Sequence, residues 1–191
     1  MGGIIDKIVE VVTGFIGWLI PIPDTPDFDT PEEAKGVLIN KQSNNAQIPI
    51  VYGRRQVGIT RVFLESSGTD NEYLYMAGIV CEGEIEEIQQ IFVDDKLVIF
   101  DGDLTDGTLR EVSGGDGNFY KDSASHIQIQ AFYGTDGQSA SSILSTSSNW
   151  TSAHKLSGIC YLAFRFKWHQ DIFSSIPQIK VTLKGKKVYD P

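Results

Sequence analysis

The chain has 191 residues, 41% apolar and 21% charged, which is the composition of a globular protein of one domain, or of one domain with an appendage. Its 25 acidic residues outweigh 16 basic ones, for a net charge of −9; this excludes a duplex nucleic-acid binder, whose phosphate contacts demand a concentrated basic face. A chain of this size buries roughly 70% of its unfolded surface, so it needs neither disulfide nor metal to fold.

Residues 3–20 are apolar except for a narrow stripe of Asp6, Lys7, Glu10, Thr13, Gly14 and Gly17, which predicts a helix about 25 Å long that Pro21 stops. The uncharged run Val11 to Ile20 is too short to span a bilayer, and there is no basic start or small-residue cleavage site of a secretory signal. The helix therefore packs on a protein partner or lies on a membrane. A polar stripe with a single Lys favours the protein partner, because membrane-surface helices are rich in Lys and Arg there. Ile4, Ile8, Val12, Phe15, Trp18 and Leu19 are its interface candidates. Residues 21–35, holding four of the seven prolines, read as an extended spacer, with one helical turn expected at Thr30-Pro31-Glu32-Glu33.

From Gly36 onward, short β-branched and aromatic runs alternate with Gly-, Ser-, Asn- and Asp-rich turns, the punctuation of a mainly β body covering 36–191. Strands are expected at Val37–Ile39, Ile48–Gly53, Thr60–Glu65 and Tyr73–Cys81, with a turn over Arg54 to Gly58. Pro49 confines its strand to an edge or a strand start. Arg54 and Arg55 are placed at a turn on the sheet edge and are the remaining interface candidates. Glu82, Glu84, Glu86 and Glu87 look at first like a catalytic cluster, but Glu84 and Glu86 alternate with Ile85, as on the wet face of a strand. A hairpin follows, Ile91–Val93 and Leu97–Phe100 around Asp94-Asp95.

Residues 101–125 read as a long polar insertion. A calcium loop counted from Asp101 fails in register, with Asp106 where Gly is required and Val112 where Glu is, so local Asx-turn bonding is expected instead. Strands are expected at His126–Tyr133, Gly158–Lys167 and Pro177–Lys184, and a short helix over 139–145, capped by a Ser or by Asp136. No phosphate loop, nucleophile elbow, metalloprotease helix or zinc spacing occurs, so the pattern is not that of an enzyme and calls for no cofactor or metal. Cys81 and Cys160 fall in strand-like runs as buried thiols, with a single disulfide left open. Two other readings stand beside this one: a membrane-active or carbohydrate-binding module using residues 3–20 on the membrane, and a hydrolase pairing a cysteine with a histidine.

Three passages carry a family resemblance. They are Ser43-Asn44-Asn45-Ala46-Gln47-Ile48-Pro49-Ile50-Val51-Tyr52-Gly53-Arg54-Arg55-Gln56-Val57-Gly58 with Thr60-Arg61-Val62-Phe63; Cys81-Glu82-Gly83-Glu84-Ile85-Glu86 with Val93-Asp94-Asp95; and Ile176-Pro177-Gln178-Ile179 through Lys184-Gly185-Lys186-Lys187-Val188-Tyr189-Asp190-Pro191. In that order they resemble the opening region of bacteriophage tail tip hub proteins, relatives of the lambda host-specificity (tip attachment) protein. The resemblance implies a small β-barrel or sandwich-like hub domain and a structural virion component. Such a component is a homotrimer that closes the tail tube at the tip or baseplate. It would be assembled in the host cytoplasm and would contact other tail tip, distal tail and tape-measure proteins, with genome DNA passing through the lumen unbound. Family members run on into further hub and fibre domains where receptor attachment sits, whereas these matches cover about 36–191. The apolar helix has no counterpart in the pattern.

Overall fold

The computed structural model describes residues 41–42, 47–121 and 123–186. The expected helix over 3–20, with its candidates Ile4, Ile8, Val12, Phe15, Trp18 and Leu19, lies outside these residues, as do the spacer 21–35, the helical turn at Thr30, the strand at Val37–Ile39 and the terminal Lys187–Pro191.

The described body is mainly β. Its strands are β1 (Lys41–Gln42), β2 (Arg54–Gly58), β3 (Thr60–Ser67), β4 (Tyr73–Glu82), β5 (Glu87–Val93), β6 (Lys96–Phe100), β7 (Leu109–Gly115), β8 (Tyr120–Lys121), β9 (Ala124–Ser125), β10 (Ile127–Tyr133), β11 (Ile159–Lys167) and β12 (Ile179–Lys184). Ten of them form one sheet in the order β1-β3-β4-β11-β10-β7-β6-β5-β12-β2, and β8 and β9 pair separately. Every pairing in the large sheet is antiparallel except the short parallel contact of β1 with β3.

Three expectations are corrected. The β-branched run 48–53 is not a strand; it makes one isolated bridge, Tyr52 with Lys186. The strand lies instead on Arg54–Gly58, expected as a turn, where all five residues pair with β12. The polar insertion 101–125 holds β7, which sits between β6 and β10 and buries Val112 in the core. The helix expected over 139–145 shrinks to a single 3-10 turn, Leu144–Thr146. The hydroxyls of Ser145, Thr146 and Ser147 donate to the carbonyls of Ser141, Ile143 and Leu144 there, side-chain bonds that compete with continuing the helix.

Alternation on β11 explains the layering. Cys160, Leu162, Phe164 and Phe166 enter the larger apolar core, while Tyr161 and Ala163 enter a smaller one on the opposite face. The larger core gathers Val57 from β2, Ile91 and Val93 from β5, Val181 and Leu183 from β12, and Met76 and Val80 from β4. Strands far apart in the sheet order thus share one interior, so the sheet curls around it. The 54–67 segment joins the two ends: β2 pairs with β12, the chain passes through buried Ile59, and β3 pairs with β4. The smaller core is roofed by the excursion between β10 and β11, which brings Ile143, Leu144 and Trp150 over Phe132 and Tyr161. Two buried glutamines fasten that roof. The Gln138 carboxamide donates to the carbonyls of Lys155, Leu156 and Ile159 and accepts from Gly134 N–H. Gln130 accepts from the Ser141 hydroxyl and from Ile143 N–H.

The Asp94-Asp95 hairpin forms as expected, with β5 and β6 joined by two residues. Both have positive φ, 50° and 63°, the left-handed pair that a two-residue hairpin requires. Asp94 Oδ1 accepts the Gln178 N–H at 2.9 Å, and Lys180 pairs with Asp95.

Candidate functional site

Parts of the three passages, residues 49–53, 82–86 and 184–186, are separated by tens of residues in sequence and come together at one end of β12, while Asp94 and Gln178 meet at its other end. Residues 49–53 run past the end of β12: Gly185 N–H donates to Gly53 O at 2.9 Å, and Lys186 N–H to Val51 O at 2.8 Å. The chain leaving β4 meets the same segment, with Glu82 N–H donating to Pro49 O at 2.9 Å. The Glu82–Glu86 turn also bonds back to β12, because Glu86 N–H reaches the carbonyls of Lys184 at 3.0 Å and Gly185 at 3.3 Å.

Glycine is demanded at two of these positions. Gly83 has φ +86°, a left-handed conformation that lets β4 end in a sharp turn, with its N–H donating to Gly158 O at 2.8 Å. At Gly185 the demand is space, since a Cβ there would lie 2.1 Å from the Val51 carbonyl oxygen.

The surface of this junction is charged on one side and apolar on the other. Glu82, Glu84 and Glu86 are exposed around buried Ile85. Lys184 Nζ lies 3.5 Å from Glu86 and 3.4 Å from Glu87, and Gln89 donates to Glu87 at 2.7 Å. Gln89 is the extra residue of a β-bulge, since Thr182 faces Gln90 and Leu183 faces Ile88, and, two residues on from Glu87, it lies on the same face of the strand. The Gln89 bond, with Lys184 and Arg54 nearby, holds the Glu87 carboxyl below its ordinary value. The same carboxylates hold the Lys184 ammonium above its own.

Arg54 and Arg55 lie exposed on β2, on the edge strand of the sheet order as expected, but in a paired strand rather than a turn. Neither forms an ion pair among the described residues. Beside them a groove of about 390 Å³ is lined by Pro49, Ile50, Val51, Tyr52, Arg55, Gln56 and Val57. Ile50 and Tyr52 are 53% and 54% exposed, unusual for large apolar side chains placed next to each other. Sequence reasoning missed this pair because Ile50 and Tyr52 stood in a run that looked like an ordinary half-buried strand.

Several other titratable groups are engaged locally. Asp101 Oδ1 accepts Glu111 N–H and Asp106 Oδ1 accepts Tyr133 N–H, so these two carboxylates of the failed calcium register tie loop to strand. His126 Nδ1 faces the Lys167 carbonyl, His154 Nδ1 faces the Thr151 hydroxyl, and His169 Nδ1 lies near Asp171. Among the described residues no group of three His, Cys, Asp or Glu is arranged to hold a metal ion. No helix among them is long and apolar enough to cross a membrane.

No family model matches the chain, and no curated protein matches it. Among solved structures it is similar to a chain of the virion of a native gene transfer agent particle, at 15% identity and a TM-score of 0.49. The alignment covers 80% of this chain and 30% of that one, so the chain spans under a third of its neighbour's length. At that level the similarity assigns neither fold nor role.

Proposed function

We propose that this chain is a structural component of a phage-type virion, a tail tip hub subunit whose contact surface is the junction of residues 49–55, 82–87 and 184–186. The observation that carries the reading is the convergence itself. Parts of segments chosen for their order in the sequence meet through backbone hydrogen bonds at one end of β12. A surface that pairs exposed Ile50 and Tyr52 with Arg54, Arg55 and a rim of glutamates has the apolar centre and charged border of a protein interface. In this reading the role is structural, without catalysis or cofactor. The partners are further copies of the chain, as a homotrimer closing the tube, and neighbouring tail tip and tape-measure proteins. The net charge of −9 suits a conduit along which DNA slides without sticking.

Immunogold electron microscopy of phage particles from the source host, with antibody raised to residues 36–191, tests this. Gold at the distal end of tails is expected. Label confined to capsids, membranes or unassembled protein overturns the reading.

A further inference from the structure

Cys81 on β4 and Cys160 on β11 are direct cross-strand partners in the register of two antiparallel strands. Both are free thiols with no exposed surface, and both belong to the larger core. Gly83 N–H bonds to Gly158 O two residues along the same register, which makes the cysteines a hydrogen-bonded pair. Such pairs stand about 5.5 Å apart at Cα, inside the window of roughly 4.4–6.8 Å that a disulfide spans, and about 5 Å apart at Cβ, so the Cβ atoms must close by about 1 Å to form the bond. A β-bulge directly after Cys160 adds local twist and gives the backbone room to adjust.

We propose that Cys81 and Cys160 are a cross-linking site, closing into one cross-strand disulfide when the chain folds in the presence of a disulfide oxidant. The thiolate of Cys81 attacks one sulfur of the oxidant and expels a thiol. The thiolate of Cys160 then attacks Cys81 Sγ in the mixed disulfide and expels the second thiol. The two protein thiols lose two electrons and two protons, and the oxidant disulfide is reduced to two thiols. In the folded dithiol the neighbouring Cys160 thiol holds Cys81 below its ordinary value. The Cys81 thiol and burial together push Cys160 well above its own. A buried high-pKa thiol exchanges slowly, so closure belongs to the stage before the core seals, and the folded dithiol is shielded from reagents.

The test unfolds the full chain under reductant and refolds it in a mixture of oxidised and reduced glutathione, or in reductant alone. The expected product of the first arm is lighter by two hydrogens and takes up no maleimide after denaturation. Closing a loop of about 80 residues raises its melting temperature by roughly 5–15 °C over the reduced form. Cys81→Ala and Cys160→Ala each keep one labelled thiol and melt alike in both buffers. Stoichiometric labelling of both cysteines after oxidative refolding, or a buffer-dependent shift that persists in the single variants, overturns the proposal. The readout is chemical and made on purified chain, so its failure is distinct from failure of the tail assignment.

Discussion

Replacing Gly185 by alanine probes the junction most directly. The added Cβ would sit 2.1 Å from the Val51 carbonyl oxygen and 2.5 Å from its carbon, far inside van der Waals contact. The obstacle is backbone, so no side chain can swing aside, and residues 49–53 must withdraw from the end of β12. Two hydrogen bonds are then at stake, Gly185 N–H to Gly53 O and Lys186 N–H to Val51 O. At about 0.5–1.5 kcal/mol each they contribute about 1–3 kcal/mol, and overpacking adds about 1–3 more, for a total of about 2–6 kcal/mol. In a domain of this size that lowers the melting temperature by roughly 5–20 °C. Thermal denaturation by circular dichroism reads the shift, and amide exchange at Lys186 reads whether its bond has opened. A Gly185→Ala protein that melts within about 2 °C of the parent, with the Lys186 amide still protected, refutes the packing described for this junction.

Two further outcomes follow from named contacts. Gln138→Leu leaves the buried Gly134 N–H and the carbonyls it served without partners; urea denaturation is expected to show a loss of about 2–4 kcal/mol, and a loss below about 0.5 kcal/mol removes Gln138 as the clasp of the roof. The backbone N–H groups of Ser148 and Asn149, both bonded to Glu65, hold its carboxyl below the ordinary range. Because the folded value is depressed, this contribution to stability is complete above the unfolded pKa and is lost as pH falls through the folded one. The Ser148 amide resonance therefore titrates below the usual carboxylate range in the parent and not at all in Glu65→Gln, and a midpoint at the ordinary value contradicts the contact.

Alternation made much of the sheet legible. In β10 and β11 apolar residues recur on each face strongly enough to mark the strands, and Asp94-Asp95 marks its hairpin chemically. What escaped is strand structure supplied by neighbours rather than by local preference. In β7 only Leu109 and Val112 are apolar, and the segment becomes a strand because β6 and β10 offer it two edges. In β2 the Arg-Arg-Gln start looks like a turn, yet β12 pairs with it throughout. Residues 48–53 fail in the opposite sense: their β-branched content is strand-like, but Pro49 lacks an N–H and the run is committed to crossing the end of β12. At the junction, the motifs identified the participating residues, but their meeting place depends on pairings across more than a hundred residues.

The position of β12 bears on synthesis. It is the last strand described, yet it is inserted between β5 and β2, which have emerged from the ribosome long before it. Until Ile179–Lys184 arrives, Val57, Ile91 and Val93 lack their cross-strand neighbours and two strand edges stand open. The nascent chain therefore waits in a partly closed, aggregation-prone form, and final closure comes in one late, long-range step. Slowing synthesis ahead of residue 179 would prolong that exposure of the β2 and β5 edges.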